Sequence, residues 1–309
     1  FREALTVSFL FKFLLYVLND LNEKRELKEP VDQSALLDLL RTRDYPRGTQ
    51  VYTENRKSTS VGQAKNHIAS HLQVTGEAKY LDDIPPQRGE LSAAFVLTTL
   101  PHANILSIDT SRAEQFPGFR GYVDYKDVPG TNTVGATHIE DEELFITSKS
   151  TSVGQVIGII LAETPQQAKL AASLVQVKYD TPMEPILSIQ EAIKKNSYIG
   201  DAHVLQRGNF EEFHSQVLND PAYKIIEGDL QMGGQEHFYL EPNAALAVPG
   251  EQDEMIIYSS MQSLTKCQQL CAKVLHVDSS KIVAKTKRIG GGFGGKETRG
   301  AFYAAMTGV

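Results

Sequence analysis

RIGGGFGGKETR, residues 288–299, is the stretch on which the reading of the whole chain turns. Five of the six residues 290–295 are glycine, with Phe293 as the exception. Glycine weakens a strand or a helix. It is useful where the backbone must turn left-handed or come close to something. The residues on either side are of another kind. Residues 281–286, KIVAKT, predict a strand, and residues 298–306 predict a helix. The glycines therefore form a strand-to-helix loop whose N–H groups can face an anion or an oxo ligand.

Two nucleotide-binding patterns nearly fit this loop, and each fails for a chemical reason. Gly290 to Lys296 satisfies the first seven positions of G-x-x-x-x-G-K-[ST], but the eighth is Glu297. The hydroxyl that would hold Mg²⁺ is missing, and a carboxylate stands beside the phosphates. Unpaired, that repulsion costs on the order of several kcal/mol in a partly desolvated site. Gly290, Gly292 and Gly295 also match G-x-G-x-x-G, whose acidic ribose partner follows about 20 residues later. Only 14 residues follow Gly295. Phe293 fits neither scheme.

Upstream, residues 223–232 predict a strand that runs into GGQEHFYLE, residues 233–241. Gly233 and Gly234 would let the backbone approach a ligand closely. Gln235 is an uncharged donor and acceptor, better suited to binding a cofactor oxygen than to moving a proton. His237 lacks a His or Cys partner at zinc spacing. On these residues alone, a β-bulge and turn explains the segment equally well. Strands are expected at 244–248 and 254–259, then a helix over 262–275. Leu264, Cys267, Cys271 and Val274 share a face of that helix, and the cysteines read as small core residues.

The middle of the chain alternates strand and helix. Residues 91–99 and 153–162 are apolar and β-branched, as buried strands are. Thr164 is an expected N-cap with Pro165 at the first helical position, and Ala168, Ala171, Ala172 and Val175 form an apolar face. A strand at 176–179 completes a mixed α/β domain over 66–187, and a short helix is expected just beyond it at 188–195. The acidic run 140–143 reads as a solvated loop. His67 and His71 lack a third ligand and are not read as a metal site.

The remaining residues set the class. Residues 5–18 are apolar, but about 14 residues fall short of the roughly 20 needed to span a bilayer, and Lys12 interrupts them. They read as a buried helix of a preceding domain, and 23–65 as a polar linker. The 309 residues are 41% hydrophobic and 22% charged, which excludes collagen, coiled coil and a wholly disordered chain. A net charge of −7 provides no basic field for nucleic acid. Two cysteines form neither a disulfide scaffold nor a four-cysteine cluster, and together with the absence of any Asn-x-Ser/Thr they suggest a reducing compartment.

Taken together, RIGGGFGGKETR at 288–299 and GGQEHFYLE at 233–241 resemble the molybdenum hydroxylases. TGEAKY at 75–80, LPHA at 100–103 and VGQ at 153–155 are similar to that family's α/β hammerhead domain, and residues 1–21 resemble the end of its flavin domain. The resemblance implies a mixed α/β (α+β) chain. It comprises a flavin-domain helix (1–22), a linker (23–65), the hammerhead domain (66–187) and the first part of a molybdopterin-binding domain (200–309). It also implies Mo-molybdopterin as cofactor, with two 2Fe-2S clusters and FAD elsewhere in the family's polypeptide passing electrons to NAD.

By the same resemblance, Gln235 hydrogen-bonds the apical molybdenum oxo group and Phe293 places its N–H near a molybdenum oxygen. Both would then stand near the metal through its ligands. Gly291 and Gly292 line the cofactor, and Glu297 binds a purine ring. An acidic residue at 297 favours the purine-oxidising branch, acting on hypoxanthine and xanthine to give urate, over the aldehyde-oxidising one. No catalytic residue is expected within 1–309, because the family's general-base glutamate and substrate-clamping arginine lie downstream. The 309 residues alone are therefore expected to be inactive on xanthine. The expected partners are a small purine and NAD, with no nucleic acid and no membrane, in a homodimer. The expected compartment is the cytoplasm, with the peroxisome as alternative. An aldehyde oxidase and a non-catalytic α/β binding module remain the competing readings.

Overall fold

The computed structural model describes residue 60 and residues 65–135, 140–218, 220–223 and 226–309. The expected helix within 1–22 and nearly all of the linker at 23–65 lie outside the described residues. The chain divides into two units, Phe1–Ser70 and His71–Val309. In the first, the described residues include a turn in which Ser70 N–H donates to His67 O. Helix α1 is Ser70–Thr75. No helix among the described residues is long and apolar enough to cross a membrane.

The second unit begins with a sheet centred on strand β7, Val156–Ala162. It runs antiparallel between β1, Ser92–Leu97, and β3, Phe119–Asp124, with Ile159 opposite both Phe95 and Val123. A central strand covered on both faces must be apolar throughout, and VIGIILA is. Helix α3, Pro165–Leu174, packs Ala168 and Ala171 onto this sheet. Its start is as expected: Thr164 accepts a hydrogen bond from Gln167 N–H at 3.3 Å, and Pro165 occupies the first turn. Strand β2, Ala103–Asp109, pairs with β6, Lys149–Ser150, and β8, Gln176–Tyr179, in a separate sheet. Short helices α2, Ser111–Glu114, and α4, Ile189–Lys194, and the amphipathic α5, Phe210–Val217, fill the connections.

The last third is built on a sheet of order β11-β10-β9. Strands β9, Ala245–Pro249, and β10, Met255–Ser259, are antiparallel. Strand β11, Ile282–Lys285, runs parallel to β10 after crossing through helix α6, Leu264–Leu275. Helix α7, Arg299–Gly308, packs on α6 and buries Ala301, Phe302, Ala304, Ala305 and Met306. Cys267 and Cys271 lie in the same core, both free and buried. Val134, Leu144, Phe145 and Ile159 join Ile257, Met261 and Val274 in a continuous apolar cluster.

Two expectations are corrected. The described residues of the 223–232 stretch, 223 and 226–232, form no strand. Ile226, Leu230 and Met232 are exposed, and no strand among the described residues lies alongside to supply ladder hydrogen bonds. The acidic run 140–143 is no free loop either. Glu142–Glu143 is strand β5, paired with β4, Thr133–Val134. Glu140 pairs with Lys273 of α6, and Glu142 with Arg299 of α7 at 2.5 Å.

Beside these ion pairs, Gly130 N–H donates to Val274 O at 2.8 Å, satisfying a carbonyl that the end of α6 leaves open. A Cβ on Gly130 would stand 2.2 Å from Lys273 O, so only glycine fits there. Both ion pairs are half-exposed. Replacing Glu140 and Glu142 together by Gln is expected to lower stability by about 1 kcal/mol, with the loss shrinking as salt is added. Thermal unfolding at low and high salt checks this.

Candidate functional site

Strand β11 and helix α7 bracket the glycine loop as expected. Within it, Gly291, Phe293 and Gly294 have φ of +97°, +50° and +93°. A phenylalanine in the left-handed region is strained and persists only where its surroundings hold it. Three sets of contacts do so. Gln262 Oε1 accepts from Gly294 N–H at 3.0 Å and Lys296 N–H at 3.3 Å, and Gln262 N–H donates to Lys296 O at 2.8 Å. Glu241 Oε2 accepts from Gly290 N–H at 2.7 Å, while Glu241 N–H donates back to Gly290 O at 3.2 Å. Arg288 Nη1 donates to Lys79 O at 2.7 Å, tying the loop's start to the 75–80 segment.

The glycines are needed for this packing. A Cβ on Gly290 would lie 2.5 Å from Glu241 Cβ, one on Gly292 2.7 Å from Gln262 Oε1, and one on Gly295 2.7 Å from Tyr239 Cε1. The protein fills those faces itself. The open edge is at Phe293 and Gly294. Phe293 is exposed, its N–H has no partner among the described residues, and nothing lies within 4 Å of a Cβ on Gly294.

The donor set at that edge is a neutral N–H on a braced turn. This fits an oxygen ligand of a cofactor lying against the loop. It does not fit a phosphate chain wrapped by the loop, because the lysine that would reach the phosphates is turned inward. Lys296 has a side chain 0% exposed, with Nζ 3.1 Å from Glu241 Oε2 and 4.9 Å from the Tyr239 ring centroid.

Glu297 is exposed and paired with Lys266 Nζ at 2.8 Å. The hydrogen bond and charge of Lys266 hold its carboxyl below the usual carboxylate range. The pair is therefore intact at neutral pH and is lost only as pH falls through that lowered value. Gln235 is exposed and makes no hydrogen bond among the described residues. It is the second half of GGQEHFYLE, through His237, Tyr239 and Glu241, that meets the loop. No close approach occurs at Gly233 or Gly234, where a Cβ would find open space. No cluster of three metal-ligating side chains occurs among the described residues. The hydrogen bond with Cys267, and then burial, push the Cys271 thiol up, as suits a core residue.

Sequence reasoning missed Gln262, Glu241, Lys296 and Lys266. Only Lys296 carried a local signal, the P-loop position, and that signal pointed to phosphate.

Together these features define an α/β scaffold that braces a glycine loop and leaves its Phe293 edge open. Residues 75–182 match the aldehyde oxidase and xanthine dehydrogenase a/b hammerhead domain, and residues 193–309 the molybdopterin cofactor-binding domain. The chain belongs to this family of molybdenum hydroxylases. Among curated proteins it is similar to xanthine dehydrogenase of Oryza sativa subsp. japonica (45% identity over 100% of this chain and 22% of that one). Xanthine dehydrogenase 1 of Arabidopsis thaliana is 46% identical over 100% of this chain and 23% of that protein. Xanthine dehydrogenase/oxidase of Rattus norvegicus is 41% identical over 97% and 22%. The chain thus spans under a quarter of the length of these relatives. Its fold matches the aldehyde oxidoreductase from Desulfovibrio gigas, with a TM-score of 0.67 at 24% identity, covering 78% of this chain and 28% of that one. It also matches quinoline 2-oxidoreductase from Pseudomonas putida 86, with a TM-score of 0.66 at 20% identity over 78% and 32%.

Proposed function

We propose that this chain forms the cofactor-facing part of a purine-oxidising molybdenum hydroxylase, acting within a polypeptide of its relatives' length. The carrying observation is the braced loop in the molybdopterin-binding domain, with the Phe293 N–H at its open edge and Glu297 four residues on. When bound, Mo-molybdopterin supplies the two-electron oxidation of a substrate carbon. The chain's own residues position and polarise. Phe293 donates its N–H to a cofactor oxygen, the type of donor that stabilises developing charge without reorganising. Gly291 lines the cofactor beside it, and Gly292, buried against Gln262, can do so only through its backbone. The Glu297 carboxylate, kept ionised by Lys266, accepts a hydrogen bond from a purine N–H.

Xanthine and hypoxanthine are the proposed substrates and urate the product. FAD, two 2Fe-2S clusters and NAD serve as the electron path elsewhere in a dimeric, cytoplasmic or else peroxisomal enzyme. The names of the curated relatives support this reading. Purified full-length protein should contain molybdenum and form urate from xanthine. Oxidation of aldehydes without urate formation would sink the purine assignment.

Gln235 is proposed as the amide donor to the cofactor's oxo group. Gln262 is the amide that already touches the loop. Its Oε1 is occupied by two N–H groups, which leaves its NH₂ to donate. Gln262→Ala and Gln235→Ala are each expected to lower turnover of the full-length enzyme, by about tenfold or more for a residue that donates to the cofactor. Unchanged turnover of the Gln235→Ala enzyme removes that glutamine from the site, whereas Gln262→Ala also unbraces the loop, so its loss reports bracing and donation together.

A further inference from the structure

The established pattern-reading of G-x-x-x-x-G-K sends its lysine to a phosphate, yet here the lysine is the most buried charge of the loop. Lys296 is 0% exposed and Glu241 12% exposed, with Nζ and Oε2 3.1 Å apart. The same Oε2 accepts the Gly290 N–H, so one carboxylate oxygen holds both ends of the loop. The Tyr239 ring lies 4.9 Å from Nζ. The lysine backbone, in turn, holds both the N–H and the side-chain oxygen of Gln262. A buried ion pair contributes little net stability against well-packed apolar residues, but removing one partner leaves an uncompensated charge. Such a pair is best suited to fixing geometry.

We propose that Lys296 and Glu241 are positioning residues: an internal staple that closes the glycine loop on itself and so sets where the Phe293 N–H points. They act through the loop and touch neither cofactor nor substrate. The inference rests on the cofactor-loop reading above. Its test therefore includes a measurement made without the cofactor.

Lys296→Met, Glu241→Gln, the double variant and Lys296→Arg would be made in the full-length protein. Amide hydrogen exchange would be followed across 288–299 in cofactor-free protein, and kcat and KM for xanthine in the loaded enzyme. Either single neutral variant is expected to speed exchange at the Gly290 and Gly294 amides by about tenfold and to lower kcat by about tenfold with KM unchanged. The double variant should lose no more than the worse single one, and Lys296→Arg should recover part of the loss. Unchanged exchange and kcat in a folded Glu241→Gln protein would overturn the proposal. So would full additivity in the double variant. Collapse of the whole fold in both single variants would also overturn it, since the pair would then hold the domain and not the loop. Wild-type protein without molybdenum or xanthine turnover would defeat the functional reading instead, with the exchange data still deciding on the staple.

Discussion

Gly290→Ala is expected to abolish most xanthine turnover of the full-length enzyme while leaving it folded. The added methyl would stand 2.5 Å from Glu241 Cβ and 3.3 Å from Glu241 N. Neither atom is the far end of a flexible side chain, so the backbone must move. Overpacking of this kind costs about 1–3 kcal/mol of stability. The same shift breaks the two hydrogen bonds that join Gly290 to Glu241. A displacement of about 1 Å at a positioning group costs on the order of 100-fold in rate. The expected result is a modestly lowered melting temperature with kcat down by about 100-fold. Melting curves and steady-state kinetics check it together. Wild-type kinetics at an unchanged melting temperature would show that the loop tolerates the methyl and is not held as described.

Glu297→Val should separate substrates and not merely weaken them. In the structure Glu297 is an exposed carboxylate held ionised by Lys266, with no role in the loop's bracing beyond its backbone N–H bond to Gly294 O. Loss of a charged hydrogen bond to substrate should lower kcat/KM for xanthine by on the order of 10- to 100-fold. An aldehyde has no ring N–H to offer, and its kcat/KM should stay within about threefold. Equal losses on both substrates would mean that residue 297 acts on the cofactor or the fold and contacts no purine. Lys266→Met offers a further handle: without the lysine, xanthine turnover should fall off at a higher pH on the acid side, because the carboxyl pKa is no longer depressed.

What could be read from the residues, and what could not, follows from the range of the interactions. The glycine loop, β7 and the start of α3 are written locally, in glycine density, an unbroken apolar run and a Thr-Pro cap, and the structure has all three. The strand expected at 223–232 is missing among its described residues because apolar residues form a strand only where a partner supplies the ladder. The acidic run at 140–143 was misread because its cations, Lys273 and Arg299, are 133 and 157 residues away from Glu140 and Glu142. Lys296 was given no role for the same reason. Nothing in G-x-x-x-x-G-K records that Glu241, 55 residues earlier, turns the side chain inward. Gln262 gave no signal at all, since an amide ahead of a helix is ordinary until a loop folds onto it. The amide chemistry of Gln235 suggested a cofactor oxygen, its particular role came from likeness, and it stands as a proposal.

The most direct measurement is an anomalous-difference map of the full-length holoprotein, collected at the molybdenum edge. A molybdenum peak is expected beside the open edge of the 288–299 loop. A bound oxygen should lie about 3 Å from the Phe293 N–H, with Lys296 still buried against Glu241. A molybdenum peak remote from Phe293, or a loop whose lysine reaches outward to a phosphate, would contradict it.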